Sequence, residues 1–246
     1  MSSMSNNPYQ SPYDAMTAPA AWAAADERSA FIRRTYLHLT GAIGMFVAIE
    51  AAIFTFVPEE TLQGLMGFML GGQWSWLIVL GAFMGVSYLA QSWANSGAST
   101  ATQYAGLGLY VVAESIIFVP LLYIAGRFAP EVIPAAGVLT LVMFGGLTAI
   151  VMITRTDLSG MGKYLWWGGI AALGIIGCAI VFNFALGVWF TGLMIAFAGA
   201  YILYDTSNVL HRYRTDQHVA AALALFASVA LLLWYVIQLL MSLNRR

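Results

Sequence analysis

The chain has 246 residues, of which 61% are apolar and 9% charged, and its mean hydropathy is +0.79. A soluble domain carries ~25% charged residues. With 10 basic and 11 acidic residues, a soluble fold of this size could not cover its surface. The absence of basic excess excludes a nucleic-acid binder, and a single cysteine excludes a disulfide scaffold. The chain reads as a polytopic membrane protein whose first partner is the lipid bilayer.

Residues 1–26 are rich in Ser, Asn, Pro and Ala and poor in aliphatic residues, so they read as a disordered tail. The tail has neither the basic n-region nor the apolar h-region of a signal peptide. Residues 27–246 read as a single transmembrane domain. A spanning helix needs ~20 mostly apolar residues to cross ~30 Å of hydrocarbon. Segments near 35–57, 74–92, 104–125, 132–154, 164–182, 185–207 and 219–243 meet that requirement. The fragment Leu62 to Leu70 is too short to span and reads as lying at the interface or leading into the second helix. Runs such as Ile170–Phe182 show none of the alternation of a β-barrel. The expected fold is an all-α, seven-helix bundle.

Seven basic residues (Arg28, Arg33, Arg34, Arg155, Lys163, Arg212 and Arg214) fall on one side of this topology and Arg127 on the other. That asymmetry places the N-terminus in the cytoplasm. Arg245 and Arg246 conflict with it unless the last segment is tilted or re-entrant. The compactness of the chain favours a bacterial cytoplasmic membrane. The glycines of helices 4 to 6 and the Gly81/Gly85 GxxxG read as sites of close helix packing, and Cys178 as a small packing residue.

A charge at bilayer depth costs at least ~2.5–3.5 kcal/mol on insertion scales. Glu50, Glu114 and Asp205 each lie within a span, and no Lys or Arg lies deep enough to pair with them. Such a carboxyl favours its proton-bound form or shares a cation. Glu114 is the deepest, and Pro120 six residues later loosens the helix beside it. Asp205 lies in the last turns of its helix, where an anion opposes the macrodipole. Arg212 at i+7 is the expected compensating partner, and protonation of Asp205 would release that contact. His211 and His218 flank the last loop and could report cytoplasmic acidity. No zinc spacing, GxSxG or Walker A pattern is present, and the one lysine, Lys163, is in a loop. The chain is therefore expected to be neither an enzyme nor ATP-driven, and to need no cofactor.

The run Phe31-Ile-Arg-Arg-Thr-Tyr-Leu-His-Leu, the loop Thr154-Arg-Thr-Asp-Leu-Ser-Gly-Met-Gly and above all Tyr201-Ile-Leu-Tyr-Asp-Thr-Ser-Asn-Val-Leu-His211 resemble the Bax inhibitor-1 (transmembrane Bax inhibitor motif) family. The resemblance runs from about residue 31 to 243. It implies a bundle with helix 7 surrounded by helices 1–6, and a pH-sensitive calcium leak controlled by aspartates on helices 6 and 7. Asp205 matches the first aspartate and would meet the transported metal ion. Ala222-Leu-Ala-Leu-Phe-Ala-Ser228 matches the second motif, with Ser228 in place of its aspartate. One carboxylate and a hydroxyl make a poorer calcium site than two carboxylates. Glu114 is then a candidate second acid. The gating set is Asp205, Glu114, Ser228 and Arg212, with His211 as a pH reporter and calcium ions and protons as cargo. The competing readings are a non-conducting regulator of other membrane proteins, such as a protease, and a proton-coupled solute transporter.

Overall fold

A computed structural model describes residues 19–96 and 99–244. Eight α-helices follow one another: α1 (Ala25–Phe56), α2 (Glu59–Leu70), α3 (Gln73–Ala94), α4 (Thr100–Phe128), α5 (Val132–Thr154), α6 (Gly162–Val181), α7 (Gly187–His211) and α8 (His218–Asn244). All but α2 are long and apolar enough to cross a membrane. Lipid is the solvent that suits their outer faces, since Ile153 is 80% and Trp189 89% exposed in the isolated chain. α2, with 12 residues, is too short to span, as expected from its length.

The helix ends follow local chemistry. Ser99 caps α4 by accepting the Thr102 N–H at 3.1 Å. α5 stops where Arg155 takes a left-handed conformation at φ 53°, which closes the last turn. Pro120 is tolerated, and α4 runs through it without a break.

α8 is the centre of the bundle. Of its most apolar window 72% is buried, and 61% in α4, against 17–28% in the other five spans. It packs on α1, α3, α4, α5 and α7. α6 joins through a small cluster of Ala172, Met194 and Tyr235. Aromatic edges tie the layers: Phe46 of α1 meets Phe118 of α4 at 5.0 Å, and Phe118 meets Trp234 of α8 at 5.1 Å. Both are edge-on contacts, the geometry favoured by the ring quadrupole.

Several details differ from the sequence reading. Most of the expected 1–26 tail lies outside the described residues. Its last part is docked, however: Ala20 is fully buried and donates its N–H to the Tyr213 carbonyl at 2.8 Å. α8 runs as one unbroken helix from His218 to Asn244. Asn244 at its end donates to Glu131 at 2.7 Å, on the face opposite Tyr213. Arg245 and Arg246 lie outside the described residues.

Close packing explains fewer glycines than expected. Gly81, Gly85, Gly145, Gly146, Gly174, Gly177 and Gly192 have nothing within 4 Å of a built Cβ. The tightest approach between two helices is at Gly106, where a Cβ would sit 2.5 Å from the Ala90 carbonyl oxygen and 2.7 Å from the Ala94 nitrogen. Only a glycine lets α4 lie this close to the α3 backbone. Cys178 is exposed on the outer surface rather than packed inside.

Candidate functional site

Asp205 and Ser228 meet across the α7–α8 seam. The Ser228 hydroxyl donates to Asp205 Oδ2 and also lies 3.2 Å from the Ala224 carbonyl oxygen in its own helix. Both residues are buried, Asp205 at 8% and Ser228 at 4% exposure. The carboxyl is six residues from the end of α7, ~9 Å into the bundle. The position that the family motif gives to a second aspartate is therefore in direct contact with the first.

Arg212 does not fill its expected role. Its guanidinium donates to Ser159 Oγ at 2.8 Å, and the ion pairs among the described residues are Arg127–Glu59 and Arg214–Asp216. Spacing along one helix could not anticipate this, because the competing acceptor comes from the 155–161 loop. Ser207, which the sequence reading passed over, fastens the same loop. It accepts the Leu158 N–H at 2.8 Å and donates to the Thr156 carbonyl at 3.2 Å. His211 turns its Nδ1 to the Ser207 carbonyl at 3.0 Å. Asp157 is held below the usual carboxylate range, chiefly by the Ser159 backbone N–H.

Glu114 faces the interior at 7% exposure. Its carboxylate accepts from the Tyr110 hydroxyl at 3.2 Å. Tyr110 also lies within electrostatic reach of Asp205 and packs edge-on to Phe226 of α8. Glu114 and Asp205 are thus both neighbours of one tyrosine, which is hydrogen-bonded to the first. Burial, with the nearby Asp205 second, pushes the Tyr213 hydroxyl above its ordinary range.

Three further polar groups lie outside the Asp205–Ser228 seam. The hydroxyls of Tyr36, Thr148 and Thr206 converge from α1, α5 and α7 without aligned hydrogen bonds. Glu50 is buried with both carboxyl oxygens unpartnered among the described residues. Close to the middle of α1, level with the starts of α4 and α8, His38 contacts Tyr104 and His218 of those two helices. Among the described residues, no three His, Cys, Asp or Glu side chains come together as a metal site. Asp205 could therefore offer a passing cation one carboxylate and the adjacent hydroxyl, the poorer of the two sites weighed from sequence.

On the opposite face, Glu59 of α2 accepts from Tyr123 at 2.6 Å and Gln63 at 3.1 Å, and pairs with Arg127. Tyr123 first, then Gln63 and Arg127, hold the Glu59 carboxyl below its usual range. This network straps α2 to α4.

Comparison with known proteins agrees with the motifs. The chain is 26% identical to Bax inhibitor 1 of Schizosaccharomyces pombe over 231 residues, covering 91% of this chain and 80% of the yeast protein. It is 28% identical over 217 residues to an uncharacterized Helicobacter pylori protein, covering 82% and 88% of the two chains. With an uncharacterized Neisseria meningitidis protein it shares 24% over 209 residues, covering 78% and 87%. The family profile described as Inhibitor of apoptosis-promoting Bax1 matches residues 28–245, so the chain, an integral membrane protein of seven apolar spans, belongs to the Bax inhibitor-1 family.

Proposed function

We propose that this protein is a non-enzymatic cation leak, with calcium as its cargo, gated by protonation of Asp205. The observation that carries this reading is the buried Ser228–Asp205 hydrogen bond joining α7 to the central helix. A carboxylate holds a hydroxyl more strongly than a carboxylic acid does, because charge-assisted hydrogen bonds are roughly twice as strong as neutral ones. Protonation of Asp205 weakens the seam where α8 meets α7. Glu114 and Tyr110 continue the polar path deeper into the bundle. Arg212, bonded to Ser159, anchors the loop beside the path and takes no direct part in the gate. His211 belongs to the same loop anchorage. The host membrane in this reading is the bacterial cytoplasmic membrane, with the N-terminus on the cytoplasmic side.

The test is calcium flux into proteoliposomes of purified protein from pH 5 to 8, beside Asp205→Asn and Glu114→Gln. Flux is expected to rise as pH falls, and Asp205→Asn is expected to abolish that dependence. Folded protein that passes no calcium above empty liposomes at any pH would overturn the proposal. A second reading, a non-conducting regulator of other membrane proteins, draws on the close burial of Asp205 and Glu114. That null result would favour it.

A further inference from the structure

His38 of α1, level with the starts of α4 and α8, belongs to an arrangement that the gate does not use. His38 Nδ1 donates to the Arg34 carbonyl oxygen at 2.6 Å, so in the neutral ring Nε2 accepts from the Tyr104 hydroxyl, also at 2.6 Å. Below this pair a groove of about 420 Å³ opens between α1 and α4, its walls including Leu37, Gly41, Met45 and Gly108. Neither Gly41 nor Gly108 has anything within 4 Å of a built Cβ. The groove is therefore cut by two missing side chains, one on each wall. From Leu37 to Met45 the helix rises ~12 Å, most of the ~15 Å depth of one leaflet's hydrocarbon.

The mouth is cationic. Arg34 lies one turn before His38 on the same face, and it makes no ion pair among the described residues. Arg34 is also within electrostatic reach of His218, whose ring is 4.9 Å from that of His38. The nearby acid Asp216 is paired with Arg214. Glu27 shares the Arg34 face but stands two turns above it, ~10 Å away. The N-terminal end of α4, just beyond Tyr104, adds the positive end of its dipole.

We propose that this groove is a binding site for an anionic phospholipid of the leaflet at the His38 end. The phosphate is held by the Arg34 guanidinium beside the His38–Tyr104 pair, whose own hydrogens are already donated, and one acyl chain lies along Gly41 and Gly108. An apolar cleft of leaflet depth under a cationic mouth matches both halves of such a lipid, whereas a zwitterionic lipid would match only the lower half. Each basic residue near a membrane surface contributes roughly a fivefold preference for anionic lipid.

The experiment is native mass spectrometry of protein from mixed micelles holding dioleoyl-phosphatidylglycerol and dioleoyl-phosphatidylcholine in equal amounts. Wild-type protein should retain the glycerol lipid at least about fivefold over the choline lipid. Arg34→Gln should lower that ratio about fivefold. Gly108→Leu and Gly41→Leu, which fill the cleft from opposite walls, should reduce retention of both lipids, while Gly81→Leu, at an open glycine outside the groove, should not. Each variant is first shown to elute as a single species with unchanged helical signal. Equal retention of the two lipids by wild type overturns the proposal, as does undiminished binding in both groove-filling variants. Displacement of the lipid by glycerol phosphate as effectively as by intact lipid would make this a free-phosphate site and overturn it too.

Discussion

The Ser228–Asp205 contact can be weighed by a double-mutant cycle. Ser228→Ala removes the hydroxyl that donates to Asp205, and Asp205→Ala removes the acceptor. The two losses are unequal. Without Asp205 the hydroxyl still has the Ala224 carbonyl 3.2 Å away, so it is not left unsatisfied. Without Ser228 the buried carboxyl loses its donor and retains its desolvation cost. A hydrogen bond to a charged group contributes ~1.5–3 kcal/mol and a neutral one ~0.5–1.5 kcal/mol. The coupling energy is therefore expected near ~1.5 kcal/mol at pH 8, at the lower end of the charged range because Ala224 offers an alternative. At pH 5 it should fall into the neutral range as the carboxyl takes up a proton. Reversible unfolding in mixed micelles of the wild type, both single variants and the double variant at each pH measures it. Coupling below ~0.3 kcal/mol at both pH values, or coupling that grows as pH falls, would refute the reasoning and remove the basis for a proton-sensitive seam.

Three other outcomes follow from the packing and the loops. Gly106→Ala should cost ~1–3 kcal/mol by pushing α4 off the α3 backbone, whereas Gly81→Ala, in open space, should cost nothing in the same thermal unfolding assay. Ser207→Ala should speed hydrogen exchange at the Leu158 amide and cost about 1 kcal/mol, because it deprives that N–H of its acceptor. For Glu59, whose folded carboxyl is depressed, the network contributes fully above the ordinary glutamate range near ~4.3 and is lost as pH falls through the lowered folded value. Side-chain carbon NMR should place the Glu59 midpoint below ~4.3 in wild type and move it upward in Tyr123→Phe; an unmoved midpoint would mean the tyrosine is not the principal donor.

The seven spans were legible because bilayer thickness imposes a length and a hydropathy that single residues cannot hide. The Asp205 and Ser228 pairing was legible only through motif resemblance, since nothing local in α7 points to α8. Arg212 shows the limit of reasoning along one helix: an i+7 spacing finds a partner on the same face, but Ser159 comes from a loop distant in sequence. Ser207 was invisible for a similar reason, as a serine near a helix end has no pattern that marks it as the anchor of another loop. The GxxxG of Gly81 and Gly85 misled because small residues that allow close packing look the same in sequence as small residues left facing lipid.

The most buried of the seven spans is also the one that follows the other six in the chain. During synthesis α1 to α7 emerge before α8, so for a time the bundle has no centre. In that interval Asp205 has no Ser228 and Phe46 and Tyr110 have no Phe226 to pack on. The buried acids then face lipid, each other or the insertion machinery. A chain stalled or cut before residue 218 thus leaves Asp205 without the Ser228 hydroxyl and Phe46 and Tyr110 without Phe226, so its polar groups stand where lipid can meet them.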